Sequence, residues 1–235
     1  KRQHLFQSFD RGDNWKIISP DLTTNDKKLR NTSNGGGLTN SNTGGENHFT
    51  IITISDTPID TTLIWVGTDD GNVQVTRNNG NSWENVKNNI DGVPEKIWVS
   101  RVEASKHSKG RAYVSFDNHR FDDNKPYVFI TEDYGKTWSN ISSNLPQDYS
   151  VYVIKEDYVD ENLLFVGTEK SVYFSNDRGT TWEKLGSNLP TVAIHDLVIH
   201  PRDGDLVAGT HGRSIWILDD ISPLRFLNEK EDNLL

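Results

Sequence analysis

The chain has 235 residues, 34 of them acidic against 25 Lys and Arg, which gives a net charge of -9 and a pI near 5.2. That balance, with no basic stripe, argues against a nucleic-acid partner, because phosphate neutralisation needs clustered Lys and Arg. The absence of cysteine excludes disulfides and thiolate metal sites, and no apolar run approaches the roughly 18 residues that cross a bilayer.

Four eight-residue phrases, each closed by tryptophan, organise the rest. They are Ser8-Phe-Asp10-Arg-Gly12-Asp-Asn-Trp15, Thr76-Arg-Asn78-Asn-Gly80-Asn-Ser82-Trp83, Thr131-Glu-Asp133-Tyr-Gly135-Lys-Thr137-Trp138 and Ser175-Asn-Asp177-Arg-Gly179-Thr-Thr181-Trp182. A recurring template marks a repeat architecture. In chain order, residues 1–22 supply the last two strands of a unit around the first phrase. Residues 31–47 are rich in Asn, Gly, Ser and Thr, include Gly35 to Gly37 and Glu46, and read as a surface loop or a lid.

Complete units follow at 48–92, 93–147 and 148–190. In the first, Ile51–Ile54, Leu63–Thr68, a turn at Asp69-Asp-Gly71, Val73–Val75 and Trp83–Val86 read as four strands. The second runs through Ile97–Val102 and Ala112–Ser115, then an insert from Phe116 to Tyr127. The third begins with Val151–Ile154 and Leu163–Thr168. Residues 191–220 supply three strands of a further unit. Four short strands recurring about every 45 to 55 residues is the period of a propeller blade. The expected fold is therefore all-β, a propeller segment over 1–224 built of four-stranded antiparallel blades and belonging to a larger propeller, with 225–235 as linker or the start of a further segment.

The phrases make chemical sense as turns. Asp10, Asn78, Asp133 and Asp177 accept hydrogen bonds from the backbone that follows, while Gly12, Gly80, Gly135 and Gly179 take positive φ. Trp15, Trp83, Trp138 and Trp182 then lead the next strand and are expected to bury their rings. The carboxylates could instead be acids or calcium ligands, but Asn78 braces a turn and cannot be a general acid. No metal or cofactor is expected.

Strand order puts the turn between strands two and three, and the link to the next blade, on the face opposite these corners. That face collects Asp69, Asp70, Trp98, Asp117, His119, Arg120, Tyr152, Glu169, Lys170, His195, His211 and Arg213. Aromatic, acidic and basic groups at loop ends of a rigid scaffold suit a binding site. Each has a plainer role available: Asp69 and Asp70 in a hairpin turn, His119 and Arg120 paired with Asp117, Asp122 and Asp123, and His195 braced by Asp196.

The four phrases resemble the Asp box, or bacterial neuraminidase repeat, of sialidases, the sortilin ectodomain, xyloglucanase-type glycosidases and photosystem II assembly factors. Trp65-Val-Gly-Thr-Asp-Asp-Gly71, Phe116-Asp-Asn-His-Arg120, His195-Asp-Leu-Val-Ile-His-Pro201 and the stretch Gly209–Asp220 are similar to large secreted bacterial proteins, frequent in Bacteroidetes, that are described as sortilin-like or glycosyl-hydrolase-like. The resemblance runs from about residue 5 to 225. It implies a secreted, periplasmic or cell-surface module that binds a protein, peptide or glycan, beside the remaining blades of the same protein or within a larger surface assembly. The alternative is a glycoside hydrolase, which needs two carboxylates about 5 to 10 Å apart. Its candidates are Asp70, Asp117 and Glu169, with Trp98 and Tyr152 as sugar platforms. A sialidase is disfavoured, since only Arg101, Arg120 and Arg213 could form its arginine triad.

Overall fold

The computed structural model describes residues 2–26, 49–186 and 188–227; the tract at 31–47, with Gly35 to Gly37 and Glu46, lies outside them. The chain is an all-β propeller segment with no α-helix among the described residues. Strands β1 (Phe6–Gln7) and β2 (Lys16–Ile17) pair with each other. Three four-stranded antiparallel blades follow: β3 (Ile51–Asp56) to β6 (Glu84–Asn85), β7 (Trp98–Ala104) to β10 (Ser139–Asn140), and β11 (Val151–Glu156) to β14 (Glu183–Lys184). A three-stranded sheet, β15 (Ile194–Ile199), β16 (Leu206–Thr210) and β17 (Ile215–Leu218), closes the series. Between the outer members lie β4 (Ile64–Thr68), β5 (Val73–Thr76), β8 (Ala112–Asn118), β9 (Asp123–Thr131), β12 (Leu164–Thr168) and β13 (Val172–Ser175).

The second strand of each complete blade is buried on both faces, so its sequence runs apolar without alternation, as in Ile64-Trp-Val and Leu164-Phe-Val. Each such strand packs on the first strand of the next blade. A Cβ at Gly67 would lie 2.4 Å from Val99 Cγ1, and one at Gly167 2.8 Å from Ile194 Cγ2, so only glycine lets the sheets approach this closely. Inter-blade cores result, one joining Trp65, Val73 and Val75 to Val99, Val102 and Phe116.

All four corners share one geometry. In each, the box carboxylate or amide accepts the backbone N–H four residues on, at 2.8–2.9 Å, from Asn14, Ser82, Thr137 and Thr181. The leading Ser or Thr hydroxyl donates to the box Asp or Asn and accepts the glycine N–H. The residue before each glycine, Arg11, Asn79, Tyr134 or Arg178, is also left-handed, with φ between 55° and 62°.

The tryptophans depart from expectation. Trp182 is 4% exposed, Trp83 and Trp138 are half-buried, and Trp15 is 63% exposed. Two box tryptophans bond to the chain leaving the preceding blade, Trp83 Nε1 donating to the Ile18 carbonyl at 3.1 Å and Trp182 Nε1 to that of Ile141 at 2.6 Å, whereas Trp138 Nε1 donates to the Gly135 carbonyl of its own corner. Trp15 has no blade on that side among the described residues. The same cause leaves Ile52 and Ile54 of β3, and Ile215 and Ile217 of β17, exposed at the two ends of the arc.

Two other expectations change. The segment from Phe116 to Tyr127 is a prolonged hairpin, not a loose insert: β8 and β9 run on to the pair Asn118 and Asp123, capped by a 3₁₀ turn at His119–Phe121. At the other end, a 3₁₀ turn at Ser222–Phe226 is tied down by Arg225, whose Nε and a terminal nitrogen donate to the two Asp157 oxygens at 2.7 and 3.0 Å. The boundary expected at 224 thus falls inside a segment that the fold holds.

Candidate functional site

The first strand of each three- or four-stranded sheet carries a β-bulge at the same place, between Ile51 and Thr53, Val99 and Arg101, Val151 and Val153, and Ile194 and Asp196. The extra residues are Ile52, Ser100, Tyr152 and His195. A bulge re-aims its side chain out of the regular alternation. Here it turns Tyr152 and His195 toward each other, with ring centroids 4.6 Å apart and planes only 7° from parallel.

Further rings extend this stack. His211, in the turn between β16 and β17, lies 5.3 Å from His195, and His119, at the tip of the prolonged hairpin, meets Tyr152 edge-on at 6.3 Å. His119 Nδ1 donates to Asp117 Oδ2 at 2.6 Å, and its backbone N–H donates to Asp117 Oδ1. Trp98 sits opposite Asp117 in the β7–β8 register, and the Arg120 guanidinium lies 3.7 Å from the centre of its ring. Arg101 donates to Asp196 Oδ1 at 2.7 Å, so Asp196 braces an arginine from another blade and not His195.

The electrostatics follow from this crowding. Partial burial, then the charges of Asp117 and Glu169, push the Tyr152 hydroxyl up to about 12. Partial burial, reinforced by His211 and His119 and opposed by Asp117, holds His195 below its ordinary 6.5. Trp98 Nε1 and Arg101 Nε are buried donors without a hydrogen-bond partner among the described residues. The surface that results is aromatic and carries unpaired donors.

Of the residues singled out in the sequence, Trp98, Asp117, His119, Arg120, Tyr152, His195 and His211 converge. Glu169 bears on Tyr152 through its charge, and Arg213 lies exposed in the His211 turn, with its backbone N–H on Thr210 Oγ1. Asp69 and Asp70 do not join them. Asp69 accepts the Thr50 N–H, while Asp70, 3% exposed, accepts Thr24 N–H, Thr24 Oγ1 and Thr68 Oγ1 at 2.6–2.7 Å. Those bonds brace two chain segments and leave Asp70 unsuited to acid–base work. The pairing of Arg101 with Asp196 and the bulges were missed; only the stacked blades and the strand register reveal them.

A second polar centre, on the corner side, was also missed. Glu156, 1% exposed, accepts Ser105 Oγ, Tyr113 OH and the Lys106 N–H at 2.7–2.9 Å. Arg111 reaches Glu132 at 2.8 Å and Glu161 at 2.7 Å, and Glu103 pairs with Lys106 and Lys155. Burial would lower the Arg111 pKa, but its bonds to Glu161 and Glu132 raise it overall. Every charge in this group has a partner.

Repeated four-stranded blades cornered by Asp boxes define a BNR-type β-propeller. Residues 126–219 match the family model described as sortilin, neurotensin receptor 3 (Sortilin-Vps10). The chain is similar in structure to the GH74 xyloglucanase from Xanthomonas campestris, at 19% identity and a TM-score of 0.67, over 94% of this chain and 34% of that one. It is also similar to YCF48 bound to D1 peptide (20%, TM-score 0.52, 72% and 51% covered) and to an ancestral GH74 enzyme (17%, 0.60, 89% and 25%). The chain thus spans about a third of the xyloglucanase and half of YCF48. No curated protein matches it in sequence.

Proposed function

We propose that this chain is the recognition part of a larger Asp-box propeller and that it grips a peptide or protein segment on the face where the first strands begin. The observation that carries the reading is the convergence of Tyr152, His195, His211, His119 and the Trp98–Arg120 pair from three consecutive sheets onto one surface. Aromatic and Arg anchors are the residues that dominate protein interfaces, and the unpaired donors of Trp98 and Arg101 suit peptide carbonyls. The YCF48 structure, of the same fold, holds a peptide, which supports this class of ligand. The exposed end faces around Ile52, Ile54, Ile215 and Ile217 support further blades or a neighbouring subunit. A secreted, periplasmic or cell-surface location is part of the same proposal, and cell fractionation tests it.

A second reading keeps one specific observation. The charges of Asp117 and Glu169 both act on Tyr152, so a glycoside hydrolase on this surface would use that pair. Asp117 already serves His119 with both oxygens, which favours binding over hydrolysis. Peptide titration and release of reducing sugar from xyloglucan, each with Tyr152→Ala and Asp117→Asn, separate the two. Binding lost in Tyr152→Ala without sugar release supports recognition; sugar release abolished by Asp117→Asn supports the hydrolase.

A further inference from the structure

Between the first and second complete blades lies a cavity of about 390 Å³, separate from the aromatic surface. Its inner wall is formed by Asn72, Ile90 and Lys87, and its rim by Thr24, Asn88 and Glu95. Lys87 begins the 3₁₀ turn Lys87–Asn89 that leaves β6, a link that must pass under the next blade. That path carries an ordinarily exposed residue type inward, to 9% exposure, with its ammonium 5.7 Å from the centre of the Phe116 ring.

A buried lysine normally has a carboxylate beside it. Among the described residues the Lys87 ammonium joins no ion pair and donates no hydrogen bond. The acids of the cavity are used or distant. Asp70 is closed by three hydroxyl and amide donors, Asp26 pairs with Lys96 at 3.6 Å, and Glu95 acts on Lys87 only through its field. Burial lowers the Lys87 pKa against that field. A partly desolvated amine with no ion pair among the described residues, opening on a polar cavity, has the environment of a nucleophilic lysine.

We propose that this cavity is a second ligand site in which Lys87 forms a reversible imine with a small hydroxyaldehyde. The neutral amine adds to the carbonyl carbon, so that a C–N bond forms, the carbonyl π pair passes to oxygen, and one proton moves from the nitrogen to that oxygen. The carbinolamine then expels that oxygen as water while the nitrogen loses a proton and the C=N bond forms. No electrons are exchanged with a third party, and hydrolysis reverses the step. The rim hydroxyl, amide and carboxylate of Thr24, Asn88 and Glu95 suit the ligand's hydroxyl groups, and the volume admits a molecule of a few carbons.

The test is reductive trapping. The folded protein is treated with glycolaldehyde and sodium cyanoborohydride at neutral pH, and labelled peptides are quantified by mass spectrometry, with a urea-unfolded sample in parallel. Labelling of Lys87 severalfold faster than that of the exposed Lys125 and Lys136, with the preference lost in urea and the mark absent in Lys87→Arg, is the expected result. Labelling of Lys87 at or below the rate of those exposed lysines in the folded protein overturns the proposal. The outcome is independent of the peptide surface, whose converging residues include no lysine.

Discussion

The two faces of the propeller handle polar groups in opposite ways. On the corner side, Arg111, Glu103, Glu156 and Asp157 are all but buried and each is matched by partners. On the opposite side, rings stack in partial exposure, Arg120 lies on an indole, and the buried Trp98 and Arg101 donors have no partner among the described residues. Paired buried charge fixes blade against blade, since breaking it leaves a charge stranded. Stacked, incompletely satisfied groups contribute less to folding and are available to a ligand. The difference separates a side whose buried charges are matched from a side whose rings and donors are left partly open.

The largest effect should come from breaking the paired side. Arg111→Ala leaves the buried Glu156 without the guanidinium 3.6 Å from it and removes the bonds to Glu132 and Glu161, and urea unfolding should show a loss of about 3–5 kcal/mol. Tyr152→Ala, on the other side, should lose far less, about 1 kcal/mol or under, because its ring is only half-buried. Equal losses would erase the distinction.

Among the corner tryptophans, Trp182→Ala should cost about 3–5 kcal/mol. Trp15→Ala, acting on a 63% exposed ring, should stay within about 0.5 kcal/mol unless further blades are present to cover it. Thermal melts of this chain and of a longer one sharpen that contrast. The box glycines grade in the same way. Gly12→Ala meets nothing nearer than 3.9 Å and pays only for its left-handed backbone, about 1–2 kcal/mol. A Cβ at Gly80 falls 2.2 Å from the Ile18 carbonyl, and the clash adds about 1–3 kcal/mol.

The smallest effect belongs to the box carboxylates. At pH 7, Asp177→Asn should change stability by about 1 kcal/mol or less, since Asn78 already fills that role. Its consequence is in acid. Partial burial would raise the Asp177 pKa, but hydrogen bonds from Thr181 and Ser175 hold it below 3.8. The contribution is therefore complete above pH 3.8 and is lost as pH falls through the folded value. Acid titration of Asp177→Asn should show a shallower fall below that pH than the parent.

These contrasts also mark how far the sequence could be read. Boxes and blades were legible because each repeat must supply its own hydroxyl, Asp or Asn, and glycine within eight residues. The aromatic surface was legible as a set of loop-end residues, but the stacking of Tyr152 on His195 depends on bulges that no periodicity displays. Asp70 could be read only as a hairpin-turn residue or a loop acid because its partner, Thr24, lies 46 residues away. The paired charges escaped notice for the same reason: Glu103, Arg111, Glu132, Glu156 and Glu161 find their partners only once the strands are paired and the blades stacked.

The most direct measurement of the central claim is binding of peptides selected from a random library on this chain, followed by the intrinsic tryptophan fluorescence of parent, Tyr152→Ala, His195→Ala and Asp177→Asn. A binding surface on the first-strand side predicts affinity reduced at least about tenfold by Tyr152→Ala and His195→Ala, the loss of a typical anchor, and unchanged by Asp177→Asn. Affinity unchanged by Tyr152→Ala and His195→Ala but lost in Asp177→Asn would place recognition on the corners and contradict the account.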